Sequence, residues 1–275
     1  MTFPVIFHLF GLNLPAHMLF QTLGYAVGFR LYLWLRRKTN DDFSDGTRLT
    51  VLIAAVVGAA VGSKLLAFAE HPQLWRPALT QPALLISAQS ILGALLGGTL
   101  AVEIVKKIAG VTRSTGDIYV FPLLAGMVVG RIGCALTGVS DGTWGDVTRL
   151  PVGFDAGDGV LRHPTPIYEI LFLLALAGLF LWLRPRPLRE GDRFKLFLAA
   201  YCAWRFLIEW LKPVTTYAIS NNLNVVQNIA TDRSLTAAPG LSVLQMAALI
   251  ALLCYAWGRL GGIRPWRRAT TSSSN

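Results

Sequence analysis

The chain is 275 residues long, 53% hydrophobic and only 15% charged, too apolar for a soluble domain. Several of its apolar runs exceed the roughly 18 residues that suffice to span a bilayer, which marks a polytopic membrane protein. A formal net charge of +10 would point to nucleic acid in a soluble chain. Here it points to basic cytoplasmic loops, because no basic patch is interleaved with aromatics away from a membrane flank.

Met1 to Pro15 is a short uncharged lead-in without the basic start of a cleaved signal. The first predicted span, His17 to Leu35, stops at Arg36-Arg37-Lys38, and a polar loop leads to the second, Leu49 to Phe68. His71 to Pro82 carries three prolines and reads as a loop with no helical pattern. A third span, Ala83 to Val105, ends at Lys106-Lys107, and the fourth runs from Asp117 to Leu136. Thr137 to Arg162 is too polar and glycine-rich to cross. The fifth span, Pro166 to Leu183, is followed by the basic loop Arg184 to Arg193 and by the sixth, Phe194 to Leu211. After the polar stretch Lys212 to Gly240 comes the seventh, Leu241 to Leu260. The expected architecture is all-α: a single seven-span membrane domain over 1–262, outer loops at about 137–163 and 212–240, and a basic, polar tail over 263–275.

The basic residues set the expected orientation. Arg36, Arg37, Lys38, Arg48, Lys106, Lys107, Arg113, Arg184, Arg186, Arg189, Arg193, Lys195, Arg259, Arg264, Arg267 and Arg268 fall on one side. Arg76, Arg149, Arg162, Lys212 and Arg233 fall on the other. Seven spans with the N-terminus outside and the C-terminus in the cytoplasm satisfy that bias at every loop. Glycines four apart, at Gly58 and Gly62, Gly93 and Gly97, and Gly126 and Gly130, read as close helix packing. Cys134, Cys202 and Cys254 stand at no metal-ligand spacing, so neither a disulfide framework nor a zinc site is expected.

Two arginines lie inside apolar runs, Arg131 in the fourth span and Arg205 in the sixth. A charge near the bilayer centre costs at least about 2.5–3.5 kcal/mol, so each is expected to meet something negative. Guanidinium donates parallel hydrogen bonds and stays charged when desolvated, which suits a phosphate. Tyr201, Arg205 and Glu209 stand four apart and share a helix face, so a structural Arg205–Glu209 pair is the alternative. Lys64 either snorkels to the interface or makes a third lipid contact. His163, just before the fifth span, is a candidate general base or acid or else an interfacial residue. Asp141, Asp146, Asp155 and Asp158 read as solvated turn residues, and Gln245 as a helix-to-helix hydrogen-bond donor.

Four stretches together resemble the prolipoprotein diacylglyceryl transferase family. They are Gly130-Arg131-Ile132-Gly133 with Gly138 and Gly142, and His163-Pro164-Thr165-Pro166-Ile167-Tyr168-Glu169. The others are Tyr201-Cys202-Ala203-Trp204-Arg205-Phe206 with Glu209, and Leu241-Ser242-Val243-Leu244-Gln245. The resemblance implies a bacterial cytoplasmic-membrane enzyme with its site toward the outer leaflet. Such an enzyme moves a diacylglyceryl group from phosphatidylglycerol to the lipobox cysteine thiol of a lipoprotein precursor and releases glycerol phosphate. It implies catalytic roles for Arg131, Arg205 and His163, and no metal or organic cofactor. Substrate contacts would come from Arg131, Arg205, Lys64, Tyr201, Glu209, Gly142, Gly138 and Gln89. The expected partners are phosphatidylglycerol, the lipobox peptide and the bilayer, with no nucleic acid; a non-catalytic lipid- or lipoprotein-binding paralogue is the alternative. The signature departs from the family pattern at Cys134-Ala135-Leu136-Thr137, where an Asn-Phe-x-Asn stretch is usual, and Gln89-Ser90 stands where members carry a histidine in span three. Glutamine cannot take a thiol proton near neutral pH, which leaves that work to His163 or to a lipid phosphate oxygen.

Overall fold

The computed structural model describes residues 3–9, 11–39, 45–80, 88–186, 188–212, 214–219, 226–231 and 241–260. Eight α-helices carry the described chain: α1 (Ala16–Lys38), α2 (Asp45–Glu70), α3 (Trp75–Thr80), α4 (Ile91–Ile108), α5 (Val120–Thr137), α6 (Thr165–Trp182), α7 (Asp192–Ile208) and α8 (Val243–Leu260). Three antiparallel hairpins join them: β1 (Ile6–Leu9) with β2 (Leu12–Pro15), β3 (Phe154–Asp155) with β4 (Leu161–Arg162), and β5 (Val214–Ile219) with β6 (Val226–Thr231). The molecule is therefore mostly helical rather than strictly all-α. Among the described residues, three stretches, Gly46–Glu70, Asp117–Asp141 and Thr165–Trp182, are long and apolar enough to cross a membrane.

The predicted elements shift in places. The lead-in before α1 pairs as a hairpin, and the proline-bearing stretch after α2 contains the 3-10 turn Pro72–Leu74 and then α3. Proline at the first turn of a helix forfeits no hydrogen bond, so prolines there do not exclude helix. The helix of the third span begins only at Ile91, where Ser90 Oγ accepts the Gly93 amide at 3.3 Å. The predicted start of that span, 83–87, the tail 263–275 and most of the 212–240 loop outside the β5–β6 hairpin lie outside the described residues.

Small residues decide which helices meet. α2 and α4 cross with their backbones in contact: a Cβ on Gly62 would lie 2.8 Å from Gly97 Cα, and one on Gly58 would lie 2.6 Å from the Gly97 carbonyl oxygen. α1 meets α5 in the same way, with Gly24 against the Gly126 carbonyl and Gly28 against that of Pro122. On α5 both glycines of the pair face Gly24, where a Cβ would lie 2.7 Å from the Gly126 carbonyl oxygen and 3.4 Å from the Gly130 nitrogen, although a Cβ on Gly130 itself would meet nothing within 4 Å. Leu92, Leu124, Leu173, Phe180, Phe197, Tyr201 and Ala248 fill the centre where α4 to α8 converge. Val57, Val61 and Leu65 on α2, Leu171 and Leu174 on α6, and Ile250 and Leu253 on α8 stay exposed, as lipid-facing residues do.

Helix ends are fixed by the sequence around them. Asp117 accepts the amides of Gly191 at 2.8 Å and Phe194 at 3.0 Å, capping α7 from the start of the fourth span. Ser242 and Gln245 form a reciprocal capping box at α8: the Gln245 amide donates to Ser242 Oγ at 3.1 Å and the Ser242 amide to Gln245 Oε1 at 3.0 Å. Gln245 Nε2 also reaches the Phe206 carbonyl of α7 at 3.2 Å, the helix-to-helix bond expected of it.

Candidate active site

Arg131 and Arg205 meet over one carboxylate. Glu169, 2% exposed on α6, takes Arg131 Nη2 at 2.9 Å and Tyr201 Oη at 2.8 Å, with Arg205 Nη1 at 3.9 Å. Arg205 Nη2 bonds Glu209 Oε2 at 3.2 Å, one turn on. The expected Arg205–Glu209 pair is therefore present, as one part of a larger network on α5, α6 and α7. A lone buried charge would be strongly destabilising, and mutual pairing is what lets this one stay ionised. The pairing is incomplete on one side: Arg131 Nε and Arg205 Nε are buried and have no hydrogen-bond acceptor among the described residues. Two such donors in one buried, positively charged cluster call for a hydrogen-bond acceptor, a place an anion's oxygens can fill.

Lys212 ends the 3-10 turn Glu209–Leu211 that follows α7. Burial, and next the Arg205 charge beside it, push its ammonium down to about 8. His163 lies at the same end of the bundle. The carbonyl of Leu211 and the Cβ of His163 both crowd Gly145, whose own amide bonds the His163 carbonyl at 2.9 Å. Its ring Nδ1 faces Tyr168 Oη at 3.3 Å.

A second cluster adjoins the first. Cys134 Sγ receives a 3.6 Å contact from Arg131 Nη1 and lies 3.8 Å from His17 Nδ1, and that same nitrogen lies 2.7 Å from Asp141 Oδ1. The signature glycines build this cluster. At Gly133 a Cβ would come within 2.8 Å of Phe20 Cβ and 3.3 Å of His17 Cα, so only glycine lets the start of α1 come close enough for His17 to reach Cys134. Gly138, at φ +73°, turns the chain out of α5 into a 3-10 turn that folds Asp141 back, and Gly142, at φ +67°, ends that turn. Asp141 is not a solvated turn residue: its side chain is 9% exposed and its Oδ2 accepts Thr143 Oγ1 at 2.7 Å. Asp155 and Asp158 do behave as turn residues. The amides of Gly157 and Gly159 on Asp155 Oδ1 hold its carboxyl below the usual range, and Asp158 pairs with Arg162.

Lys64 and Gln89 lie together along α2 and the lead into α4. Lys64 Nζ donates to the Ala88 carbonyl at 2.7 Å, and Gln89 Oε1 accepts Gln21 Nε2 at 3.1 Å.

Residues 4–255 match the family model of the prolipoprotein diacylglyceryl transferases. The chain belongs to the prolipoprotein diacylglyceryl transferase family. Curated relatives named phosphatidylglycerol–prolipoprotein diacylglyceryl transferase agree. The protein of Dehalococcoides mccartyi strain 195 is 28% identical over 223 residues, 78% of this chain and 84% of its own. That of Methylobacillus flagellatus is 29% identical over 78% of this chain and 85% of its own. That of Actinobacillus pleuropneumoniae is 26% identical over 93% and 94%.

Within this family member, the structure brings Arg131, Arg205, Tyr201 and Glu209 into one network and sets His163 at its edge. Glu169, the carboxylate that joins the two arginines, stands in the quoted His163–Glu169 stretch but was not singled out; an acid four residues into an apolar helix was the signal. Lys212 was read only as a loop cation. Gly138 and Gly142, expected to touch substrate, have a conformational role that positive φ makes plain.

Proposed function

We propose that this chain transfers a diacylglyceryl group from phosphatidylglycerol to the lipobox cysteine thiol of lipoprotein precursors and releases glycerol phosphate. The observation that carries this reading is the pair of buried guanidinium Nε groups without acceptors, on arginines already pinned by Glu169. A phosphodiester seated there accepts from both, with Lys212 adding a third cation. The same donors stabilise the charge that develops on phosphate as the carbon–oxygen bond to the glyceryl group breaks. Glu169, Tyr201 and Glu209 position the arginines. Gly138 and Gly142 line the bound lipid, Lys64 and Gln89 flank the acceptor's approach, and His163 is the general base or acid of the transfer.

The membrane frame belongs to the same proposal. Seven spans over 1–262, the N-terminus outside and the C-terminus in the cytoplasm place the arginine cluster toward the outer leaflet of a bacterial cytoplasmic membrane, where the lipid and an exported lipobox peptide can both arrive. The charge distribution supports that orientation. The Gln21–Gln89 amide pair favours a second reading, a paralogue that binds phospholipid or precursor without chemistry, because neither amide exchanges a proton near neutral pH.

One experiment separates the two. The purified protein is incubated in detergent with phosphatidylglycerol and a lipobox peptide, and glycerol phosphate and peptide mass are followed. Both products are expected from the wild type and neither from Arg131→Ala. Lipid binding with neither product would sink the transferase assignment and leave the binding paralogue.

A further inference from the structure

Beside the phosphate-binding arginines, three ligand-type atoms converge: His17 Nδ1, Cys134 Sγ and an Asp141 carboxylate oxygen, all within 4.8 Å of one another. The convergence falls on one atom of the imidazole. Nδ1 carries at most one proton, yet it faces the carboxylate at 2.7 Å and the sulfur at 3.8 Å. A relay of thiol, imidazole and carboxylate would use both ring nitrogens, one toward each partner. Here one imidazole nitrogen instead serves both partners, and the three ligand-type atoms lie close enough together to share an ion. Tetrahedral zinc with bonds of about 2.0–2.3 Å places its ligand atoms roughly 3.4–3.6 Å apart, within a few tenths of an ångström of the imidazole–sulfur distance and under 1 Å from the imidazole–carboxylate one.

Supporting contacts have the form metal ligands require. Thr143 Oγ1 donates to Asp141 Oδ2 at 2.7 Å and so turns Oδ1 toward the cluster. Arg131 Nη1 points at Cys134 Sγ, a hydrogen bond that suits a thiolate. The mixture of imidazole, sulfur and carboxylate selects zinc over magnesium or calcium. His17 leaves 40% of its side chain exposed, which gives an ion and a fourth ligand a way in.

We propose that His17, Cys134 and Asp141 bind a zinc ion whose open fourth position receives the thiol of the acceptor cysteine. This rests on the transferase reading for the identity of that thiol. Three protein ligands and one vacant position are the composition of a catalytic zinc site, and a thiol that coordinates zinc loses its proton outright. The step balances. The acceptor thiol releases its proton to water on binding zinc, and its sulfur electron pair forms the carbon–sulfur bond to the glyceryl carbon. The carbon–oxygen bond of the phosphodiester breaks, and glycerol phosphate leaves with that electron pair toward Arg131 and Arg205. Zinc undergoes no redox change. The site answers the absence of a base at Gln89, since a metal-bound thiolate needs none.

The test reads metal first and activity second. Detergent-purified protein, zinc-loaded and desalted, is analysed for bound zinc by mass spectrometry. A cobalt(II)-exchanged sample is examined for a thiolate-to-metal charge-transfer band. About one zinc per chain is expected, with the band present in wild type and absent in Cys134→Ser. Zinc should be lost in His17→Ala and weakened 10–100-fold in Asp141→Asn, with monodisperse elution showing that each variant is folded. Arg131→Ala should keep metal and lose transfer. Chelator-stripped wild type should transfer about 100-fold more slowly and recover with zinc. A wild type without zinc, or zinc unchanged in folded Cys134→Ser and His17→Ala, overturns the site. Equal transfer by stripped and loaded protein overturns the role in thiol activation. Zinc held by the three residues, with no transfer from phosphatidylglycerol by the loaded protein, leaves the site standing and sinks the transferase reading instead.

Discussion

Arg131 and Arg205 were legible in the sequence because a charge inside an apolar run is costly enough to demand a reason. Lys212 was not, because a lysine just past a span usually snorkels into water. The structure leaves it half-buried near Arg205, where desolvation and the Arg205 charge lower its ammonium to about 8. The sign of the consequence is fixed. On the proposed function, Lys212 below that value adds a third cation for the lipid phosphate; as pH rises through about 8 it becomes neutral and that attraction is lost. The phosphodiester keeps its single charge throughout, and arginine does not deprotonate in this range. Phosphatidylglycerol binding should therefore weaken several-fold between pH 7 and pH 9, an effect that Lys212→Met should flatten. A wild-type affinity indifferent to pH over this window would place Lys212 outside the site. The cluster of His17, Cys134 and Asp141 was hidden for a different reason. Its first two members are 117 positions apart, and no spacing rule reaches across that distance.

At the scale of elements, hydrophobic runs predicted most helices within a few residues, because burying a backbone in lipid leaves helix as the only local solution. What they could not predict were the pairings. Those depend on surfaces that match in three dimensions, and glycines four apart marked both faces of one crossing and only one face of the other. Gly58 and Gly62 on α2 found Gly93 and Gly97 on α4, whereas Gly126 found Gly24 and Gly28 on α1, a pair not singled out in the sequence. The α2–α4 crossing matters to the site because α2 carries Lys64 and the chain leading into α4 carries Gln89. Gly62→Leu would drive a branched side chain into the Gly93 carbonyl and the Gly97 backbone. Neither is the flexible end of a side chain, so the helices must part, and lost packing is the main cost in lipid. The variant should unfold several degrees lower in detergent than wild type, whereas Gly178→Leu, where a Cβ meets nothing within 4 Å, should change little. Equal melting temperatures for the two would mean that the crossing contributes nothing.

At the scale of the whole molecule, the two ends of α6 carry opposite kinds of chemistry. The Thr165 end adjoins the polar β3–β4 segment, His163 and the arginine network. At the other end the guanidinium of Arg186 sits 3.7 Å over the Trp182 ring, as the Lys38 ammonium sits 3.9 Å over Trp34 at the end of α1. Aromatic residues paired with basic ones are what a cytoplasmic membrane interface favours. The 18 residues of α6 span about 27 Å at 1.5 Å each, close to the roughly 30 Å of hydrocarbon they would cross. Glu169 lies four residues in from Thr165, about 6 Å along the axis. With the topology proposed above, the arginines it holds would sit about one turn below the outer interface, at a depth where a lipid phosphate drawn slightly inward would bring its glyceryl carbon to them. Orientation can be read directly by labelling. In a Cys254→Ser background, Asp158→Cys between β3 and β4 and Glu190→Cys before α7 place thiols at two exposed positions. A membrane-impermeant maleimide applied to spheroplasts should modify position 158 and reach position 190 only after lysis. The opposite pattern would turn the molecule over, put the arginine network on the cytoplasmic face, and remove it from any acceptor that has already crossed the membrane.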